Sequence, residues 1–261
     1  MQRLNKVIIL FLMAVLSTGV MAQEARALVE KMTEAVGGKD TFYNLGDVEY
    51  TYTYHDLVED KKDVSLERYL FDGELSWAQF SVREKFAHPN IDGTIIQGYD
   101  GENFWTTING VASEDEQIVG FSRFLRKTNY YWFSMFFKLL DEGINYEKLD
   151  PQSVNGIDYH RVKITFGENI GDASDIYVLF INPETYLVDQ FLFTVKAFNV
   201  TDPLLMEVKY TEVDGVKLPT WRRYAPANWE AEIQKEAWTA EISENVKFGN
   251  GFSRTDFKAG K

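Results

Sequence analysis

The chain has 261 residues, no cysteine, and 27 basic against 40 acidic residues, a net charge of −13. Without cysteine there can be no disulfide, no thiol catalysis and no thiolate metal site. A surface this acidic repels nucleic acid and anionic head groups, so nucleic acid is excluded as a partner, while 45% hydrophobic residues suffice for a sizeable core.

Arg3 and Lys6 precede an apolar run from Val7 to Leu16, followed by Ser17-Thr18-Gly19 and then Val20-Met21-Ala22. A charged start, an apolar middle and an A-x-A-like end form an export signal, expected to be cleaved after Ala22. The run is too short to span a bilayer, which takes about 20 apolar residues. The expected organisation is a signal peptide over residues 1–22 and one domain over 23–261, with no integral membrane segment in the mature form. Losing Arg3 and Lys6 takes the mature charge to −15.

Ala25, Leu28, Val29, Met32, Ala35 and Val36 keep helical spacing, and Gly37-Gly38 supplies the stop. Strands follow. From Asp47 to His55, Val48, Tyr50, Tyr52 and Tyr54 alternate with Glu49, Thr51, Thr53 and His55, the period of a strand with two unlike faces. The charged segment Asp56–Asp63 reads as a loop. Ser65–Phe71 and Leu75–Lys85 form a hairpin around Asp72-Gly73, and Thr94–Tyr99 and Asn103–Ile108 form another around Asp100-Gly101.

Gly120–Leu140 then reads as helix, with Lys127-Thr128-Asn129 leaving open whether it is one helix or two. One apolar stripe holds Phe121, Phe124, Leu125, Thr128, Trp132, Met135, Phe136, Leu139 and Leu140. A second, on roughly the opposite side, holds Tyr130, Phe133 and Phe137. One stripe can pack on a sheet; the other needs more protein, a second chain or an apolar ligand. Strands resume at Asp158–Phe166, Asp175–Ile181, Tyr186–Phe198, Leu205–Val213, Val216–Tyr224 and Glu232–Phe248. About ten strands at hairpin spacing predict one antiparallel sheet, strongly curled or nearly a barrel.

Five segments, in this order, carry a family likeness: Val36-Gly37-Gly38, Tyr99-Asp100-Gly101-Glu102-Asn103-Phe104-Trp105, Val154-Asn155-Gly156-Ile157-Asp158-Tyr159, Phe180-Ile181-Asn182-Pro183-Glu184-Thr185 and Asp214-Gly215-Val216-Lys217-Leu218-Pro219. The chain resembles the periplasmic lipoprotein-carrier superfamily, which includes the outer-membrane lipoprotein-sorting proteins and their mycobacterial lipid-transport relatives. The resemblance implies an α+β fold, mainly antiparallel β: a strongly curved half-barrel sheet whose concave face is covered by helices and holds acyl chains. It also implies a periplasmic location.

No pattern for catalysis competes. His55, His88 and His160 are scattered, and His160 shares strand parity with Val162, Ile164 and Phe166. No Gly-x-Ser-x-Gly elbow occurs, and Asp172 and Asp175 lack the spacing of a calcium loop. No cofactor and no metal site are expected, and the protein is read as a non-enzyme. The expected function is a soluble carrier that buries the acyl chains of a lipid or lipoprotein in an apolar pocket without chemistry. The alternative is a protein-binding or scaffold module with a partner in the cell envelope. The candidate ligand wall and lid comprise Tyr50, Tyr52, Tyr54, Trp105, Tyr130, Phe133, Phe137, Phe191 and Phe193.

Overall fold

The computed structural model describes residues 21–167 and 175–260. The expected export signal, save its last two residues, and Asp172 lie outside them. Two helices come first, α1 over residues 21–35 and α2 over Lys39–Asn44. Six strands follow: β1 (Asp47–Asp56), β2 (Lys61–Leu70), β3 (Leu75–Arg83), β4 (Ile95–Tyr99), β5 (Phe104–Ile108) and β6 (Val111–Ala112). The long helix α3 (Glu116–Lys138) leads into β7 (Ile144–Val154), β8 (Ile157–Phe166), β9 (Tyr177–Ile181) and β10 (Val188–Val195). The chain ends with β11 (Val200–Val213), β12 (Val216–Pro226) and β13 (Thr239–Phe248).

These strands form one sheet of order β6-β5-β4-β3-β2-β1-β13-β12-β11-β10-β9-β8-β7. Strands β1–β6 step in chain order to one edge, β7–β13 step inward from the other edge, and the two runs meet where β1 pairs antiparallel with β13. The fold is α+β, an open curved antiparallel sheet of half-barrel type, as the sequence implied.

Among the described residues thirteen strands stand where about ten were expected. Strand β7 escaped the period-two reading because it lies at the sheet edge, holds Pro151 and slips register between Leu149 and Gln152. The segment expected as strand from Glu232 forms its ladder with β12 only from Thr239 onward. Helix α3 is continuous through Lys127-Thr128-Asn129, which settles one helix rather than two.

Two compact units divide the chain. One takes in residues up to Ala35, Leu139–Met206 and Pro226–Gln234. On one face of its strands, Tyr159, Val178, Phe180, Leu192 and Leu205 pack with Ala227. In α1, Ala25, Val29 and Met32 are buried, and Lys148 reaches Glu24 at 2.7 Å.

The other unit takes in Val36–Lys138, Glu207–Ala225 and Lys235–Lys261. Here α3 lies against β3, β4 and β5. The opposite face of those strands carries Leu75, Trp77 and Trp105, packed with Phe257 from the C-terminal segment. That segment is anchored by Asp47, whose carboxylate accepts the backbone N–H groups of Asn250, Gly251 and Phe252 at 2.7–2.9 Å. Several backbone donors converging on one carboxylate make a strong, charge-assisted clamp.

Gly98 lets Trp105 lie flat on β4, since a Cβ there would sit 2.2 Å from Trp105 Cζ2. Gly98→Ala is expected to destabilise the protein by about 1–3 kcal/mol through overpacking. Urea unfolding measures this, and an unchanged midpoint would show that the indole has room to shift.

Candidate functional site

Helix α3 starts cleanly because Asp115 Oδ1 accepts from the backbone N–H of Gln117 at 2.8 Å and of Ile118 at 3.3 Å. Glu116 in the first turn and Lys138 in the last suit the helix dipole. Ser122, Arg126, Tyr130, Phe133 and Phe137 are all buried and recur every three or four residues. They form the face turned to the sheet. Phe133 stacks on Tyr50 of β1, with ring centroids 4.8 Å apart. Tyr130 meets Tyr69 of β2 edge-on at 5.2 Å. Phe137 stacks on Phe42 of α2 at 4.1 Å with nearly parallel rings.

Polar bonds accompany this aromatic seam. Glu67 of β2, fully buried, accepts from Arg126 Nη2 at 3.0 Å, Ser65 Oγ at 2.7 Å, Tyr69 O–H at 3.1 Å and Asn129 Nδ2 at 3.2 Å. Tyr50 and Tyr69 hydroxyls lie 3.0 Å apart. Because Tyr69 gives its proton to Glu67, Tyr50 donates to Tyr69. Burial pushes the Tyr50 and Tyr69 hydroxyls up in pKa, with the Glu67 charge adding to it, so both stay protonated and able to donate. Further along α3, Ser122 Oγ accepts from Thr106 of β5 at 2.6 Å.

A second buried ion pair joins Arg222 of β12 to Glu241 of β13 at 2.8 Å, and Arg222 Nη1 donates to the Trp132 carbonyl at 2.8 Å. So α3 is fixed to the sheet by two buried arginines as well as by rings. Gln97 of β4 is also fully buried, with Ala78 and Thr106 as its cross-strand neighbours.

The structure brings together Tyr50, Tyr52, Tyr130, Phe133 and Phe137, all buried on the α3 side of one unit. Tyr54 continues the β1 alternation half-buried, its hydroxyl against that of Tyr224 and its ring 5.0 Å from Phe86. Trp105 lies on the opposite face of the same strands, donating from its indole to the Phe257 carbonyl at 2.9 Å. Phe191 and Phe193 belong to the other unit, with ring centroids 5.8 Å apart on β10.

Tyr130 and Phe133 of the second stripe meet the sheet and Phe137 meets α2, while of the first stripe Met135, Phe136 and Leu139 are buried and Phe121, Phe124, Leu125, Thr128, Trp132 and Leu140 stay half-buried. Ser122 and Arg126 extend the sheet-facing line toward the N-terminus. Their polarity hid that line from a reading by hydrophobic periodicity alone. Glu67, Arg126, Arg222 and Glu241 were missed, although Glu67 shares strand parity with Ser65 and Tyr69, which was the signal available.

A cleft of about 410 Å³ opens beside the start of α3, lined by Phe86, His88, Ile91, Asp115, Ile118 and Phe121 among others. Burial and nearby Arg83 lower the His88 pKa, leaving its imidazole neutral at pH 7. His55 pairs with Asp60 at 2.7 Å. His160 is half-buried opposite Ile181. Among the described residues no group of three or more His, Asp or Glu is placed to hold a metal ion.

A family of unknown function, DUF6503, matches residues 103–203. No curated protein matches the chain. Among solved structures, an outer membrane lipoprotein-sorting protein domain from Vibrio parahaemolyticus is similar over 91% of this chain and 97% of its own, at 10% identity and a TM-score of 0.51. The chain shares the fold of that domain. A DUF1329 family protein from Desulfovibrio piger is similar over 90% of this chain and 97% of its own, at 14% identity and a TM-score of 0.52. The Mycobacterium tuberculosis lipoprotein LppX is similar over 87% of this chain and 98% of its own, at 8% identity and a TM-score of 0.31. Among the described residues no helix is long and apolar enough to cross a membrane.

Proposed function

We propose that the protein is a non-enzymatic periplasmic carrier that binds the acyl chains of a lipid or lipoprotein. The observation that carries this reading is the near full-length likeness of the fold to a lipoprotein-sorting domain. The aromatic seam under α3 supports it. Tyr50, Tyr52, Tyr54, Tyr130 and Phe133 offer large, rigid apolar walls on one face of the sheet. Phe133 stacks on Tyr50 and Tyr130 meets Tyr69, so an acyl chain enters only as α3 moves off β1 and β2. Each methylene taken from water then contributes about 0.8 kcal/mol, enough for one long chain to drive useful affinity.

Organic extraction of the purified protein followed by mass spectrometry tests this. The expected result is a bound acyl lipid, and a delipidated sample that takes up a fluorescent fatty-acid probe near one to one. A clean extract together with no probe uptake would reject the carrier reading. The half-buried Phe121 and Phe124 on the outer side of α3, 6.2 Å apart, favour the second reading, a protein-binding module. That reading predicts capture of an envelope protein without lipid.

A further inference from the structure

Among the described residues seven large hydrophobic side chains stand out as exposed, and three of them gather at one end of the unit that contains α3. Leu57 and Val58, 46% and 64% exposed, form the crest of the turn between β1 and β2, and Phe86, 41% exposed, lies in the loop after β3. The two segments are joined. Lys85 pairs with Asp56, next to Leu57, and its ammonium lies 5.0 Å from the Phe86 ring. Glu84 accepts from the Lys62 backbone N–H at 2.9 Å.

Nothing in the turn's backbone requires Leu and Val. Turn positions favour Gly, Asn, Asp, Ser and Pro for conformational reasons. The conformation here is set by Asp56, whose carboxylate accepts the backbone N–H groups of Val58 and Glu59 at 2.9 and 3.1 Å. Leu57 N–H is bonded to the Trp238 carbonyl at 3.0 Å. The loop bearing Phe86 is equally fixed. Asp63 accepts the backbone N–H groups of Glu84, Lys85, Phe86 and Ala87 at 2.7–3.1 Å. Apolar side chains are thus held outward on a preformed, convex tip, where little chain entropy is lost on contact.

The charge around the tip fits one partner. Asp56, Glu59, Asp60 and Glu84 face Lys61, Lys62 and Lys85, a balance of −1 on a chain whose total is −13. Lys61 reaches Glu59 at 2.8 Å and Lys62 reaches Asp60 at 4.0 Å. This end, close to neutral, therefore repels phosphate head groups far less than the rest of the acidic surface does. Apolar residues at a crest with lysines just behind match the layering of a bilayer surface, acyl boundary then phosphate.

We propose that the β1–β2 turn, with Leu57 and Val58 at its crest and Phe86 beside it, docks the protein onto a zwitterionic lipid bilayer. The tip adjoins the aromatic seam under α3, since the Phe86 ring lies 5.0 Å from that of Tyr54.

Cosedimentation of the full chain with phosphatidylcholine vesicles tests it, comparing Leu57→Ser/Val58→Ser with Val111→Ser. Val111 is 70% exposed on the β6 hairpin, so it controls for exposed apolar surface in general. The expected result is measurable vesicle binding by the parent, at least a tenfold lower partition coefficient for the double variant, and no change for Val111→Ser. The chain has no cysteine, so Val58→Cys carries a polarity-sensitive dye at one site, and its emission should shift to the blue on vesicles. A parent that stays in the supernatant, a double variant that binds as the parent does, or a dye that does not respond overturns the proposal.

Discussion

Arg126→Met is expected to lower the unfolding free energy by about 3–5 kcal/mol, because it leaves the Glu67 carboxylate buried and without its cation. Both side chains are fully buried, and Glu67 sits among Ser65, Tyr69 and Asn129. Neutral donors remain, but none replaces the positive charge in a region that water does not reach. The double variant Arg126→Met/Glu67→Met removes the stranded charge and is expected to recover most of the loss. Chemical denaturation of the four species of this cycle gives the coupling directly. If the single variant costs less than about 1 kcal/mol, the pair is not sealed from water and the account of α3 as fixed by buried ionic bonds is wrong.

Phe137→Ala is the second large effect, about 3–5 kcal/mol, the range for truncating a buried phenylalanine. Phe137 has no exposed surface and stacks on Phe42, which in turn stacks on Phe71 at 4.5 Å. The cavity would open where α2, α3 and the end of β2 meet, and rings held on both sides cannot collapse into it. Thermal and denaturant unfolding should agree on the loss. A carrier wall and a core differ sharply here. If Phe137→Ala keeps its stability but weakens uptake of a fatty-acid probe, this ring is ligand wall and not core. The structure leads us to expect the first outcome at Phe137, with any ligand contact lying nearer to Tyr52 and Tyr54, where burial declines along β1.

Much of this architecture was legible in the sequence where the signal was local. The alternation of Tyr50, Tyr52 and Tyr54 gives the buried face of β1 correctly because a strand's side chains must point to opposite faces. Asp72-Gly73 and Asp214-Gly215 announce their hairpins through residues that tolerate positive φ, as both glycines show, at 85° and 83°. Arg126 carries no local sign of its burial, because its place depends on Glu67, 59 residues earlier. Which face Trp105 takes is decided by Phe257, 152 residues away. Periodicity describes what one element offers to its neighbours. It does not say which neighbour accepts, and buried charges in particular have no signature until both partners are in place.

The pairing of β1 with β13 also bears on how the chain acquires its shape. Val48 lies opposite Phe248, so a ladder in the middle of the sheet joins the first strand made to the last. Strands β1–β6 can zip up early as a meander of neighbours, but β1 then keeps an unpaired edge until the final residues arrive. Asp47 likewise waits for Asn250 to Phe252. Contacts so distant in sequence form slowly, after a large loop-closure cost. A chain emerging N-terminus first, from a ribosome or across a membrane, thus carries a sticky open edge for the whole of its synthesis. The last strand works as a closing stitch: until it is sewn in, the growing molecule depends on being kept apart from its own copies.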